Sequence, residues 1–451
     1  MRVMKWSMIA LAVAAAASTQ LATAAPFVSD QSEAKGIVED SHLNLLVRNY
    51  YFNRDNKNGG HDQKDWTQGI WGNFSSGYTQ GLVGVGVDAF GYLAIKLDGG
   101  DGTSGTGNMS RSDTVKANGY AHDVNDSQGK AGAAVKFRIS KTELKFGDMQ
   151  PSTAPVFAVG GSRILPQTAR GFQLQSSEVK DLDLEGGHFY SASSQDKNAL
   201  DGDLWSQYAD NIKANSIDYA GGKYGINDNL SVSLYGAKLE DIWNQYYANV
   251  NLTTPISGDT SLNTDFNIYR TTDTGDKKAG DISNTAFSLA TALSFLKAHT
   301  ITLAFQKVNG DTPFDYIGVG KNNRGGDSIF LANSIQYSDF NGPGEKSAQI
   351  RYDLKMAEYG IPGLSFMTRY VNGWNIDGTH MPANSQYTSY GYGEDGKHHE
   401  TNLEAKYVIQ SGPAKDLSFR IRQAWHTANA DQAEGDVKEF RLIVDYPLQV
   451  L

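Results

Sequence analysis

Long stretches of this chain alternate apolar and polar residues with period two. Leu417, Phe419, Ile421 and Trp425 share one parity, and Ser418, Arg420, Arg422 and His426 share the other. Ile350, Tyr352, Leu354 and Met356 alternate with Gln349, Arg351, Asp353 and Lys355. The same holds for Leu403–Ile409, Leu364–Tyr370 and Ala133–Ile139. Side chains of a strand point to opposite faces in turn, so each segment has one apolar and one charged face. A packed soluble core would not bury so many Arg and Lys, which weighs against a β-sandwich or β-helix. Tyr370, Tyr407 and Trp425 fall near strand ends on the apolar face, as at membrane interfaces. The pattern predicts an all-β, transmembrane antiparallel β-barrel with lipid outside and a charged lumen.

Turn residues punctuate the strands. Asn227-Asp228-Asn229, Pro362-Gly363 and Ser411-Gly412-Pro413 make short connections. Asp98–Gly129 and Asp377–His399 make long polar ones. Short turns at one end and long loops at the other are the layout of outer-membrane barrels. No internal repeat or linker interrupts residues 25–451, which read as one barrel domain.

The N-terminus supplies the address. Met1-Arg2-Val3-Met4-Lys5 precedes the short apolar run Met8–Val13, and Ala22-Thr23-Ala24 is a small-x-small cleavage site. Residues 1–24 are therefore expected to be a signal peptide. Ser18, Thr19 and Gln20 interrupt the run, so it is too short for a membrane anchor. Mean hydropathy is −0.45, and no later apolar stretch approaches the roughly 18 residues of a helical span. The absence of cysteine leaves an exported chain without disulfides. A net charge of −10 argues against a nucleic-acid partner. The last strand carries Phe440, Leu442, Val444, Tyr446 and Leu448 on its apolar face, but the final residue is Leu451 rather than an aromatic.

If the apolar face meets lipid, Arg48, Arg54, Lys136, Arg138, Arg351, Lys355, Arg369, Lys406, Arg420, Arg422 and Arg441 face inward. Arg420 and Arg422 then stand one above the other, with Lys406 and Arg441 on flanking strands. Few acids are visible among them, which favours a basic track that sets selectivity. A mixed wall neutralised by Glu404 and Asp353 is the alternative. Phe146–Arg170 contains Pro151, Pro155 and Pro166 and reads as a loop folded into the lumen. Gly160-Gly161-Ser162-Arg163 would present Arg163 as a forked donor for a carboxylate.

Several words resemble a known family. They are Arg48-Asn49-Tyr50-Tyr51-Phe52-Asn53-Arg54, Val87-Asp88-Ala89-Phe90-Gly91-Tyr92, Pro155-Val156-Phe157-Ala158 and Gly161-Ser162-Arg163. Phe314-Asp315-Tyr316-Ile317-Gly318, Asp339–Gly344 and Gly393–Glu400 match too. From about Phe27 onward the chain resembles the porin D family, the substrate-specific outer-membrane carboxylate channels of pseudomonads. The resemblance implies eighteen strands and facilitated diffusion of basic amino acids and small peptides, with carbapenem antibiotics also admitted. Residues 25–451 would give each strand and its connection roughly 24 residues, against about 9–11 for a tilted span. The family lines its pore with a basic ladder, here Arg48, Arg54, Arg369, Lys406, Arg420, Arg422 and Arg441. It also places Tyr208, Tyr316, Tyr337, Asp327 and Asp339 at an acidic, aromatic pocket opposite Arg163. Expected partners are carboxylate-bearing solutes, outer-membrane lipid and lipopolysaccharide, and the barrel-assembly machinery. Association into a homotrimer is left open.

Other chemistries are weaker. Gly326-Asp327-Ser328 echoes a serine-protease word, with His188 and Asp241 as partners, but Ile329 replaces the second glycine. Nothing in the sequence brings those three side chains together. His398 and His399 are adjacent, so on a strand they point opposite ways and make a poor metal pair. Gly84-Val85-Gly86 lies in a strand, not before a helix, so it is no nucleotide loop. No cofactor or metal is expected. A purely structural barrel is the remaining class.

Overall fold

The computed structural model describes residues 26–57, 59–99, 102–115 and 122–451. The expected signal peptide, residues 1–24, lies outside the described residues. Eighteen antiparallel strands form one sheet. They are β1 (His42–Asn56), β2 (Gln63–Ser75), β3 (Gly84–Asp98), β4 (Ser127–Ile139), β5 (Thr142–Met149) and β6 (Thr168–Ser176). Next come β7 (Leu182–Ser193), β8 (Ile217–Asn227), β9 (Leu230–Leu239), β10 (Trp243–Ser257), β11 (Thr260–Asp273) and β12 (Ser283–Phe295). The last are β13 (His299–Asn309), β14 (Lys346–Lys355), β15 (Leu364–Ile376), β16 (Gly396–Val408), β17 (Ser418–Ala428) and β18 (Val437–Gln449). Each pairs with its neighbour in sequence, and β18 pairs with β1 from Asn44↔Gln449 to Asn56↔Val437. The sheet is therefore a closed barrel with no free edge.

Closure satisfies every backbone ladder, which a bilayer demands of any spanning segment. The outward parity is apolar and accessible: Leu303, Ile350 and Ile421 are 55%, 55% and 46% exposed. Phe146 and Phe172 stack side by side on that face at 4.5 Å. Tyr370, Tyr407 and Trp425 also point outward. The short connections 140–141, 228–229 and 258–259 lie at one end, and the long ones 150–167, 194–216, 310–345 and 377–395 at the other.

The connections 150–167, 194–216 and 310–345 turn into the lumen, and Asn108 and Tyr387 from two other connections are buried against them. The segment 150–167 is the proline-rich loop, shorter than expected because Phe146 and Arg170 belong to β5 and β6. Phe157 packs against Phe189 at 4.7 Å, and Tyr269 donates to the Pro155 carbonyl at 3.1 Å. On the other side, Trp71 donates to the Ile164 carbonyl at 2.5 Å. The loop thus bridges β2 and β11 across the barrel. A small four-stranded sheet joins 194–216 to 310–345, with Leu204↔Val319 and Ser206↔Ile317 in register. Asp315 locks this plug by accepting from Ser206 Oγ, the Tyr208 backbone N–H, Trp243 Nε1 and Tyr387 Oη. Four donors hold a carboxyl that burial lifts to about 6.

Candidate functional site in the lumen constriction

Parity on β1 puts Arg48, Tyr50, Phe52 and Arg54 on the inner face together. Phe52 is fully buried and shared by three guanidiniums: Arg441 at 5.0 Å, Arg54 at 5.2 Å and Arg163 at 5.4 Å. Two come from the wall and one from the inward loop. Phe52 is therefore where the ladder meets the constriction, and its aromatic face favours cations. Phe52 was not among the expected site residues, although it shares the inward parity of Arg48 and Arg54.

Arg163 is half-buried. Its Nε donates to the Thr106 carbonyl at 3.1 Å and its Nη1 to Ser162 Oγ at 3.3 Å. Burial and the neighbouring Arg441 draw its guanidinium down to about 10, so it stays protonated at neutral pH. Among the described residues, no carboxylate oxygen lies within the 4.0 Å of an ion pair with it. Arg48 holds this loop by donating Nη1 to the Gly161 and Arg163 carbonyls, at 3.0 and 2.7 Å.

The ladder runs along consecutive strands. Arg422 is in register with Glu404 on one side and Arg441 on the other, and Arg420 with Lys406. It carries more acid than the sequence reading allowed. Glu404 bridges Arg420 at 2.9 Å and Arg422 at 3.0 Å. Glu439 bridges Arg54 at 2.6 Å and Arg441 at 2.5 Å, and Asp445 takes Arg48 at 2.7 Å. Arg351 is likewise matched by Asp353 at 2.7 Å. The wall is thus mixed but unbalanced: among the described residues, three carboxylates pair with five of the seven predicted cations. Among the described residues, Arg369 bonds the neutral Asn402 at 2.9 Å with Glu400 in electrostatic reach, and neither it nor Lys406 has a carboxylate in ion-pair range.

Of the five residues expected at the acidic pocket, three converge. Tyr208 and Tyr316 donate their hydroxyls to Asp339 Oδ2 at 2.7 and 2.8 Å, and Ser334 donates to Oδ1 at 2.5 Å. The two rings meet edge to face at 5.9 Å. Burial still lifts the Asp339 carboxyl above the usual carboxylate range, against the pull of the hydroxyls. Asp327 lies on the tip of the inward loop, its N–H donating to the Ala158 carbonyl at 3.0 Å, within electrostatic reach of Tyr316, Asp339 and Arg163. A Cβ on Gly160 would stand 3.0 Å from Asp327 Oδ1, so a larger residue there would push the carboxylate back by a few tenths of an ångström. Tyr337 lies elsewhere: Arg54 sits over its ring at 5.2 Å, and its hydroxyl donates to the Glu434 carbonyl at 3.3 Å.

The hydrolytic alternative is not assembled. His188 pairs with Asp218 at 2.7 Å on an exposed stretch of β7, and Asp241 pairs with Lys278 at 3.2 Å. Ser328 is fully buried, and among the described residues its hydroxyl has no partner. Each of the three lies in a different setting, so no nucleophile–base bond exists.

The family described as outer membrane porin, OprD family, matches residues 35–450. The chain belongs to that family. Porin D of Pseudomonas aeruginosa is 65% identical to it over the whole of both chains. A crystal structure of Pseudomonas aeruginosa OprD superposes with a TM-score of 0.82 at 62% identity, covering 95% of this chain and 100% of that one. Pseudomonas aeruginosa OpdK, solved with vanillate, has a TM-score of 0.80 at 33% identity, covering 92% of this chain and all of its own. The barrel is thus an outer-membrane porin, and the filled lumen is its pore.

Proposed function

We propose that this porin passes small solutes bearing a carboxylate, chiefly basic amino acids and small peptides, with carbapenem antibiotics also admitted. The observation that carries the reading is Arg163. It is a charged fork on the inward loop with no carboxylate in ion-pair range among the described residues, next to rungs that do have one. A charge so placed favours an incoming anion, as charged groups lining a pore set its selectivity. Asp327, Asp339 and the rings of Tyr208 and Tyr316 would receive the cationic end of the same solute. The relative solved with vanillate, itself a carboxylate, supports that class.

Residues 1–24 would be the signal removed on export, with the assembly machinery, lipid and lipopolysaccharide as the partners of the remaining barrel. No hydrolytic step is assigned to His188, Asp241 and Ser328. A liposome-swelling panel of arginine, lysine, dipeptides, benzoate and glucose tests the reading. Carboxylate solutes should enter faster than glucose of comparable size. Equal rates would reduce the pore to a general diffusion channel, and an absence of single-channel conductance would make it a structural barrel.

A further inference from the structure

One inward-facing cluster at the long-loop end of the barrel takes no part in the constriction. His398 on β16 and His426 on β17 are 3% and 2% exposed, and their rings meet edge to face at 5.1 Å. Phe340 stacks on His398 at 4.1 Å and Tyr337 covers His426 at 4.9 Å. His426 Nδ1 lies 2.8 Å from the Gly435 carbonyl, which can only accept, so that nitrogen carries hydrogen. His398 Nε2 lies 2.7 Å from Glu345 Oε1, which fixes a hydrogen there. The two remaining nitrogens, His398 Nδ1 and His426 Nε2, face each other at 2.8 Å. In neutral rings both would present lone pairs, an arrangement that repels unless a cation sits between them. Glu434 Oε2 completes the group at 3.9 Å from the first nitrogen and 3.5 Å from the second.

We propose that His398, His426 and Glu434 bind a divalent transition-metal ion of the zinc class at this end of the pore. Two imidazoles and a carboxylate suit zinc, with a fourth position left for water. Zinc–nitrogen bonds of about 2.0–2.1 Å in tetrahedral geometry would need the rings to part by about half an ångström. Each ring is already oriented by an acceptor on its far nitrogen, Glu345 or the Gly435 carbonyl, as metal-bound histidines usually are. Glu345 also accepts from the Gly342 N–H at 2.7 Å, at the end of the plug segment that carries Asp339. Occupancy would therefore fasten β16, β17, the connection 429–436 and the plug together. The competing occupant is a proton shared by the two rings.

The test uses the full barrel in detergent, stripped with chelator and titrated with zinc chloride by calorimetry. The expected result is one ion per barrel and a rise in unfolding temperature that chelator reverses. His426→Ala and Glu345→Gln should each weaken binding by about 10–100-fold, and His399→Ala, on the opposite face, should not. Anomalous diffraction from zinc-soaked crystals of the unaltered barrel locates the ion even if a variant fails to fold. No binding, affinity unchanged in His426→Ala, or an ion located elsewhere would overturn the proposal and leave the shared proton.

Discussion

Arg48 and Asp445 face each other across the seam where β1 meets β18, joined by parallel hydrogen bonds of 2.7 and 3.0 Å. The remaining nitrogen of the same guanidinium holds the carbonyls of Gly161 and Arg163. One side chain thus ties barrel closure to the constriction loop. Lysine cannot supply this fork. Arg48→Lys should cost about 1–3 kcal/mol in urea unfolding from lipid and give larger, noisier single-channel currents. A trace identical to wild type would mean that Trp71, Tyr269 and Phe157 hold the loop without Arg48.

The ladder makes a sharper prediction than its cations alone would. Changing Arg420 and Arg422 together to Ala removes two positive charges and also leaves Glu404 unpaired on the wall. Uptake of carboxylates should fall more than that of neutral sugars, and reversal potentials should move toward cations. Adding Glu404→Gln should recover part of that shift. If the added change has no effect, Glu404 does not act on the permeating ion.

The acidic pocket predicts a pH dependence. The Asp339 carboxyl sits above the usual range, so it is protonated at a higher pH than an exposed aspartate, which titrates near about 3.9. Lowering pH from neutral should therefore weaken arginine uptake before exposed carboxylates titrate, and Asp339→Asn should flatten that profile. Tyr208→Phe removes a donor to the charged form and should move the loss to still higher pH. Uptake of radiolabelled arginine across a pH series checks all three.

Phe157 is the apolar anchor of the constriction loop, fully buried against Phe189 and Tyr219. Phe157→Ala should cost about 3–5 kcal/mol by the cavity it leaves. The barrel wall should persist, because its ladders do not involve this residue. The expected outcome is a folded, heat-modifiable barrel with faster glucose entry in liposome swelling. Loss of the folded band on gels would show that the loop is needed for the wall itself.

Much of this was readable in the chain because period two assigns every strand residue to lipid or lumen. Ile421 and Arg422 fall on opposite faces for that reason alone, and the turns at Asn227-Asp228-Asn229 and Ser411-Gly412-Pro413 are local chemistry. What parity cannot give is the partner across the lumen. Glu439 between Arg54 and Arg441 depends on closure of the first strand on the last, nearly 400 residues apart in sequence. Tyr337, Asp327 and Asp339 lie on a long connection whose path is set by the plug sheet and by Asp315, so adjacency in sequence did not predict adjacency in space. His398 was dismissed beside His399, whereas its neighbour is His426 on the next strand.

The central claim is that Arg163 and the carboxylates Asp327 and Asp339 act on the two ends of one solute. Competitive uptake of arginine, alanine and glutamate into liposomes tests it most directly, with wild type, Arg163→Ala and Asp327→Asn/Asp339→Asn compared. Arg163→Ala should impair arginine. The double variant should impair arginine more than alanine and let glutamate gain on both. The same order of the three solutes in all three proteins, at whatever rate, would contradict the account.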